Sequence, residues 1–135
     1  PPRSTLFPYT TLFRSLVLVV EDEESLRMVT ERILLRGGYQ VETVPDGTTA
    51  LARLDAAGPS VDLVLTDAVM PGMLGVELVR EVHRRHPGVP IVMMSGHLPP
   101  SLDPASDEHR TPVPLLPKPF TAAELLQFVR VGLAS

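Results

Sequence analysis

The chain has 135 residues, 44% hydrophobic and 21% charged, with 12 Lys and Arg against 16 Asp and Glu. That length suits one domain of ordinary size, and a formal charge of −4 argues against a nucleic-acid binder with its basic face. The absence of cysteine excludes disulfides, thiolate metal sites and cysteine nucleophiles.

Pro1–Ser15, PPRSTLFPYTTLFRS, carries three of the fifteen prolines and shows neither helical nor alternating periodicity. Its Leu6–Ser15 part resembles a translated high-throughput sequencing adapter, so residues 1–15 are read as a non-native or disordered segment and 16–135 as the domain. Leu16–Val20 is an apolar run fit for a strand buried on both faces. It is the longest such run, well below the roughly 20 residues that cross a bilayer. With no signal-like start, a cytoplasmic protein without membrane contact is expected. Ser25–Arg36 reads as a helix with Leu26, Val29, Ile33 and Leu34 on one stripe, stopped by Gly37-Gly38. Tyr39–Val44 is a second strand, and Asp46 caps a helix whose Ala50, Leu51 and Leu54 share a face. Val61–Thr66 is a third strand, and Gly75–His86 a helix with Leu78, Val79 and Val82 inward. Ile91–Met94 is a fourth strand. Five prolines between His97 and Pro114 allow only a short or irregular helix, placed near Ala105–His109. Val113–Leu116 is a weak fifth strand, and Thr121 with Glu124 makes a capping box for a last helix facing in through Leu125, Val129 and Leu133. Strands alternating with helices in this way indicate an α/β fold, a doubly wound parallel sheet.

Ligands of open parallel sheets bind beyond the C-terminal ends of the strands. There the first strand delivers Glu21-Asp22-Glu23-Glu24, the third Asp67, the fourth Ser95-Gly96 and the fifth Lys118 before Pro119. Carboxylates gathered at one place repel unless a cation or a raised pKa relieves them. Hard oxygen ligands around an open site suit Mg²⁺, which favours phosphate oxygens, and a lysine and a hydroxyl beside it complete a set for stabilising a phosphoryl group. No base is aimed at an external substrate, so the nucleophile is a carboxylate of the protein itself.

The segments LVLVVEDEE, LVLTDAVMPGMLG, IVMMSG and LPKPF resemble the four signatures of the receiver domain of two-component response regulators, in order and spacing. The resemblance runs from Leu16 to the C-terminus, about nine-tenths of the chain. It implies a flavodoxin-like, five-stranded sheet with strand order 2-1-3-4-5. It implies Asp67 as phosphoacceptor, and Mg²⁺ held by Asp22, Asp67 and the backbone carbonyl of Val69, with Glu21 acting through water. Ser95 and Lys118 would hold the phosphoryl group, and Lys118-Pro119 resembles the family's cis peptide. Small Gly96 would leave the site open, while Pro71, Gly72 and Gly75 shape the turn and helix start after Asp67. The partner implied is a histidine kinase or a phosphotransfer protein. The domain is then no enzyme towards other substrates, although it promotes its own phosphorylation. With no output region in the sequence, the chain most resembles the C-terminal receiver of a hybrid sensor histidine kinase, the cytoplasmic end of a membrane-bound protein. A free-standing chemotaxis-type regulator is the second reading.

Other residues read more simply. Glu23 and Glu24 are favourable charges at a helix N-terminus, and His83 and His86 beside Arg84 and Arg85 are surface cations at a helix end. His97 and His109 read as surface residues, and Met70, Met73, Met93 and Met94 as packing. Three features depart from the family pattern. Leu115 stands where many regulators carry a switching aromatic; Glu21 replaces the commoner Asp; and the Pro-rich segment puts in doubt the helix through which many regulators dimerise, so a monomer is expected. Val69 cannot orient a hydrolytic water, which implies slow loss of the phosphoryl group. The alternative is a pseudo-receiver, an interaction module that works without phosphorylation. An aspartate-nucleophile phosphatase fits less well, because its nucleophile follows the first strand and a second Asp stands where Val69 is. A nicotinamide dehydrogenase would need a G-x-G-x-x-G after the first strand.

Overall fold

A computed structural model describes residues 14–134. Five strands, β1 (Leu16–Val20), β2 (Gln40–Val44), β3 (Leu63–Asp67), β4 (Ile91–Ser95) and β5 (Leu115–Pro117), form one sheet in the order β2-β1-β3-β4-β5. Every neighbouring pair is parallel, with Val17 opposite both Val41 and Leu63, and Leu65 opposite Val92. Three helices connect the first four strands, α1 (Glu24–Arg36), α2 (Gly47–Asp55) and α3 (Gly75–Arg85), and a fourth, α4 (Ala122–Ala134), follows β5.

The alternation of side chains along a strand divides the core in two. Leu16, Leu18 and Val20 of β1 pack with Val64, Met93 and the inward residues of α2 and α3, among them Ala50, Leu51, Leu78, Val79 and Val82. Val17 and Val19 turn the other way, towards Leu63, Leu65, Val92, Met94, Leu34, Leu125 and Val129 under α1 and α4. The central strands are apolar throughout because both faces are covered. The predicted caps form. Asp46 accepts a hydrogen bond from the Thr49 N–H at 2.7 Å, while Thr121 and Glu124 bond reciprocally at 2.8 and 3.1 Å.

Five expectations need correction, the first being that the third strand runs from Leu63 to Asp67 rather than from Val61 to Thr66. Val29 is 49% exposed and belongs outside the inward stripe of α1, which runs through buried Thr30 and Leu34; Leu26, Val29 and Ile33 instead line a groove with Lys118, Pro119 and Phe120. No helix forms at Ala105–His109. The segment makes hydrogen-bonded turns, and its one helical turn is a 3₁₀ turn at Pro100–Leu102. The fifth strand begins two residues later than predicted, because Pro114 contributes only its carbonyl, to Met93 N–H at 2.9 Å. His109 is no surface residue: its side chain is 9% exposed, and its Nε2 bonds the Ser101 carbonyl at 2.9 Å.

The adapter-like stretch falls outside the described residues except for Arg14 and Ser15. Arg14 donates to the carbonyls of Gly38 and Tyr39, and the Ser15 carbonyl accepts from Gln40 N–H.

Candidate functional site

The C-terminal ends of β1, β3, β4 and β5 bring together Glu21, Asp22, Asp67, Ser95 and Lys118. Asp67, the last residue of β3, is buried between β1 and β4 and held firmly. Its Oδ1 accepts from the Ala68 N–H and from Lys118 Nζ, each at 2.9 Å. Its main-chain carbonyl accepts from the Thr66 hydroxyl at 3.0 Å. Neither of the two hydrogen bonds to the carboxylate involves Oδ2.

Lys118 reaches Asp67 because β5 ends there. The Lys118 N–H donates to the Ser95 carbonyl at 2.7 Å, extending the β4–β5 ladder one residue, and the Lys118-Pro119 peptide is cis. The same ammonium stands 3.7 Å from Glu21 Oε1. Ser95 is buried at the end of β4, Gly96 is exposed with open space around its Cα, and Val69 is 56% exposed in the loop after Asp67. Gly75 opens α3 against this loop, its N–H donating to the Ala68 carbonyl at 2.9 Å.

Glu21 is the unusual member. It is 1% exposed, its Oε2 accepts from the Glu23 N–H at 3.1 Å, and its Oε1 has no hydrogen-bond partner. Burial pushes its carboxyl up to about 7; the Glu23 N–H opposes this, the Asp67 charge adds to it, and Lys118 partly offsets both. Carboxylate oxygens of Glu21, Asp22 and Asp67 lie within 4.8 Å of one another. A buried oxygen without a donor, among three hard ligands at an otherwise open site, fits a divalent cation such as Mg²⁺.

Two contributors were not apparent in the sequence. Thr66 supports the Asp67 carbonyl, and Arg27, one turn into α1, donates through NH1 to the Glu21 carbonyl at 2.9 Å and the Asp22 carbonyl at 3.5 Å. Their bonds go to the main chain, which no pattern of residue types records. His86 sits at the end of α3, bonded through Nε2 to Asp55 at 2.7 Å, and His97 is exposed; neither is near the acidic cluster in any bond it makes. All four methionines read as packing contribute to the core: Met70, Met93 and Met94 are buried, and Met73 packs against the cluster that holds Met70 and Met93.

The family model of the response regulator receiver domain matches residues 17–130. The chain belongs to that family. This receiver domain is 36% identical over 120 residues to the sensor kinase CckA of Brucella abortus, a match covering 84% of this chain and 12% of that protein. It is 37% identical over 117 residues to the DNA-binding transcriptional regulator NtrC of Salmonella typhimurium, covering 86% of the chain and 24% of the relative. It therefore spans a quarter or less of these proteins. Among solved structures, the chemotaxis protein CheY4 of Vibrio cholerae superposes with a TM-score of 0.77 at 30% identity, covering 88% of this chain and 98% of that one. The expected strand order is the observed one. No helix among the described residues is long and apolar enough to cross a membrane.

Proposed function

We propose that this receiver domain takes a phosphoryl group onto Asp67 from the phosphohistidine of a histidine kinase or phosphotransfer protein, with Mg²⁺ held by Asp22, Asp67 and the Val69 carbonyl and by Glu21 through water. The observation that carries the reading is the Asp67 carboxylate, pinned through Oδ1 by Ala68 and Lys118 at the meeting point of four strand ends. Oδ2 attacks phosphorus, an O–P bond forms, the P–N bond breaks, and the imidazole leaves with that electron pair. When bound, Mg²⁺ offsets negative charge on the transferring phosphoryl oxygens. The Lys118 ammonium does the same from the protein side, and the Ser95 hydroxyl donates to a phosphoryl oxygen once the acyl phosphate exists. Fixed carboxylate geometry supplies positioning, the main contribution a protein makes to phosphoryl transfer. Drawing Ser95 and Lys118 to the phosphate then biases the loops after β4 and β5 between two arrangements, which is the signal.

Incubation with acetyl phosphate or phosphoramidate, read by intact mass, tests the reading. A single phosphoryl adduct that requires Mg²⁺ and is absent from Asp67→Asn is expected. Folded protein that forms no adduct would favour the phosphorylation-independent interaction module.

The lifetime of the adduct follows from Val69, an exposed apolar side chain that cannot orient a water. Decay over minutes or longer is expected in a time course of the same mass measurement, and decay within seconds contradicts it. Association follows from the segment 98–114, which carries no helix longer than a 3₁₀ turn. The phosphorylated domain is expected to scatter light as a monomer; a tight symmetric dimer would refute this. The domain acts on itself rather than on an external substrate, contacts neither nucleic acid nor membrane, and works in the cytoplasm. As the receiver of a hybrid sensor kinase it would sit at the cytoplasmic end of that protein, with residues 1–15 foreign to the domain.

A further inference from the structure

The acidic turn between β1 and α1 has little support of its own. Glu23, the residue preceding the helix, makes no side-chain cap, and the Glu21 N–H bonds the Val44 carbonyl at 3.1 Å. Besides the Glu23 N–H bond to Glu21 Oε2, the turn is anchored by Arg27. Its guanidinium donates to the carbonyls of Glu21 and Asp22, and its main-chain N–H to the carbonyl of Glu23 at 2.9 Å. Three consecutive carbonyls are thus tied to one residue.

Although three carboxylates gather nearby, neither guanidinium bond goes to one of them. A cation bonded to the carboxylates would compete with a metal for their lone pairs. Bonded to carbonyls instead, it leaves those lone pairs free, including Oε1 of Glu21, which is buried and accepts no hydrogen bond. Fixing the peptide planes on both sides of Asp22 also fixes the directions in which the Glu21 and Asp22 side chains leave the backbone. We infer that Arg27 is a positioning residue that pins the Glu21-Asp22 main chain so that both carboxylates converge with Asp67 on one divalent cation. The inference rests on the Mg²⁺-dependent reading above. Groups that orient metal ligands from behind typically contribute 10–100-fold in affinity.

Mg²⁺ binding to the full chain, measured calorimetrically for wild type, Arg27→Ala and Arg27→Lys at low and high salt, tests this. Arg27→Ala is expected to weaken binding about tenfold or more, and equally at both salt concentrations, since pinning by hydrogen bonds is not screened as a bare charge is. At saturating Mg²⁺ its phosphorylation by acetyl phosphate should return to within about twofold of wild type, separating a metal-affinity effect from general damage. Arg27→Lys, which can replace one of the two carbonyl bonds, should fall between. Unchanged affinity in Arg27→Ala overturns the inference, and so does a loss confined to low salt, which would make Arg27 a charge alone. If Arg27→Ala does not fold, Arg27→Lys carries the test, and affinity equal to wild type overturns it. Wild type that binds no Mg²⁺ overturns the metal reading itself, and this inference with it.

Discussion

Between about pH 4 and pH 8 in the presence of a chelator, the domain is expected to lose on the order of 3 kcal/mol of stability through Glu21 alone. The folded protein holds that carboxyl at about 7 against an ordinary value of 4.5, chiefly because it is buried. Between those values the folded state binds a proton that the unfolded chain has released, so stability falls as pH rises through the window. The contribution is complete below the unfolded value and gone above the folded one. Asp46, Asp55 and Glu81 shift the opposite way, lowered first of all by hydrogen bonds from Thr49, His86 and Arg84 respectively. The clean measurement is the difference in urea unfolding free energy between wild type and Glu21→Gln across this range. Glu21→Gln should be more stable than wild type at the alkaline end, with the difference vanishing towards the acid end. Saturating Mg²⁺ should reverse the wild-type loss, and its binding near neutral pH should release protons. Parallel curves for the two proteins would show that Glu21 is not buried as a neutral acid.

Gly75→Ala is expected to destabilise by about 1–3 kcal/mol, the range for inserting atoms into a filled core, and to depress phosphoryl acceptance with it. A Cβ at Gly75 would stand 2.5 Å from the Asp67 carbonyl oxygen, 2.9 Å from the Ala68 Cα and 3.0 Å from the Met93 Cε. The methionine can rotate away, but the other two atoms are main chain of Asp67 and Ala68. Relief must come from moving α3 off the loop or from displacing Asp67, which loosens its bond to Lys118. Gly88→Ala serves as the comparison, because nothing lies within 4 Å of a Cβ there, and a change within about 0.5 kcal/mol is expected. Equal unfolding midpoints for the two variants would contradict this account of the helix start.

The contrast between these two glycines is invisible in the sequence, and it marks where sequence reading stops. The central strands were legible because a sheet covered on both faces demands unbroken apolar runs, and the acidic, hydroxyl and lysine positions because each directly follows such a run. What failed involved choices made by distant partners. An apolar count puts Val29 inside α1, yet the rotation of the helix buries Thr30 and Leu34 and leaves Val29 beside Lys118-Pro119-Phe120. His109 looked like any histidine in a polar, Pro-rich stretch until the Ser101 carbonyl, eight residues away, closed on its Nε2. Arg27 escaped notice for a related reason: carbonyl acceptors have no letter in the sequence.

The prolines that deny the β4–β5 segment a helix also shape the outermost strand. Pro114 and Lys118 both direct their main-chain groups towards β4, so by the alternation along a strand those of Leu115 and Pro117 face away from it. Pro117 has no N–H to give, which leaves Leu115 the single outward donor within β5. A neighbouring molecule seeking to add a strand there would meet a three-residue segment with one hydrogen-bond donor, flanked by further prolines at 112, 114 and 119. Short, proline-bearing boundaries of this kind resist edge-to-edge pairing. The domain can therefore expose the loops at that end of the sheet without recruiting copies of itself into a continuous β-structure.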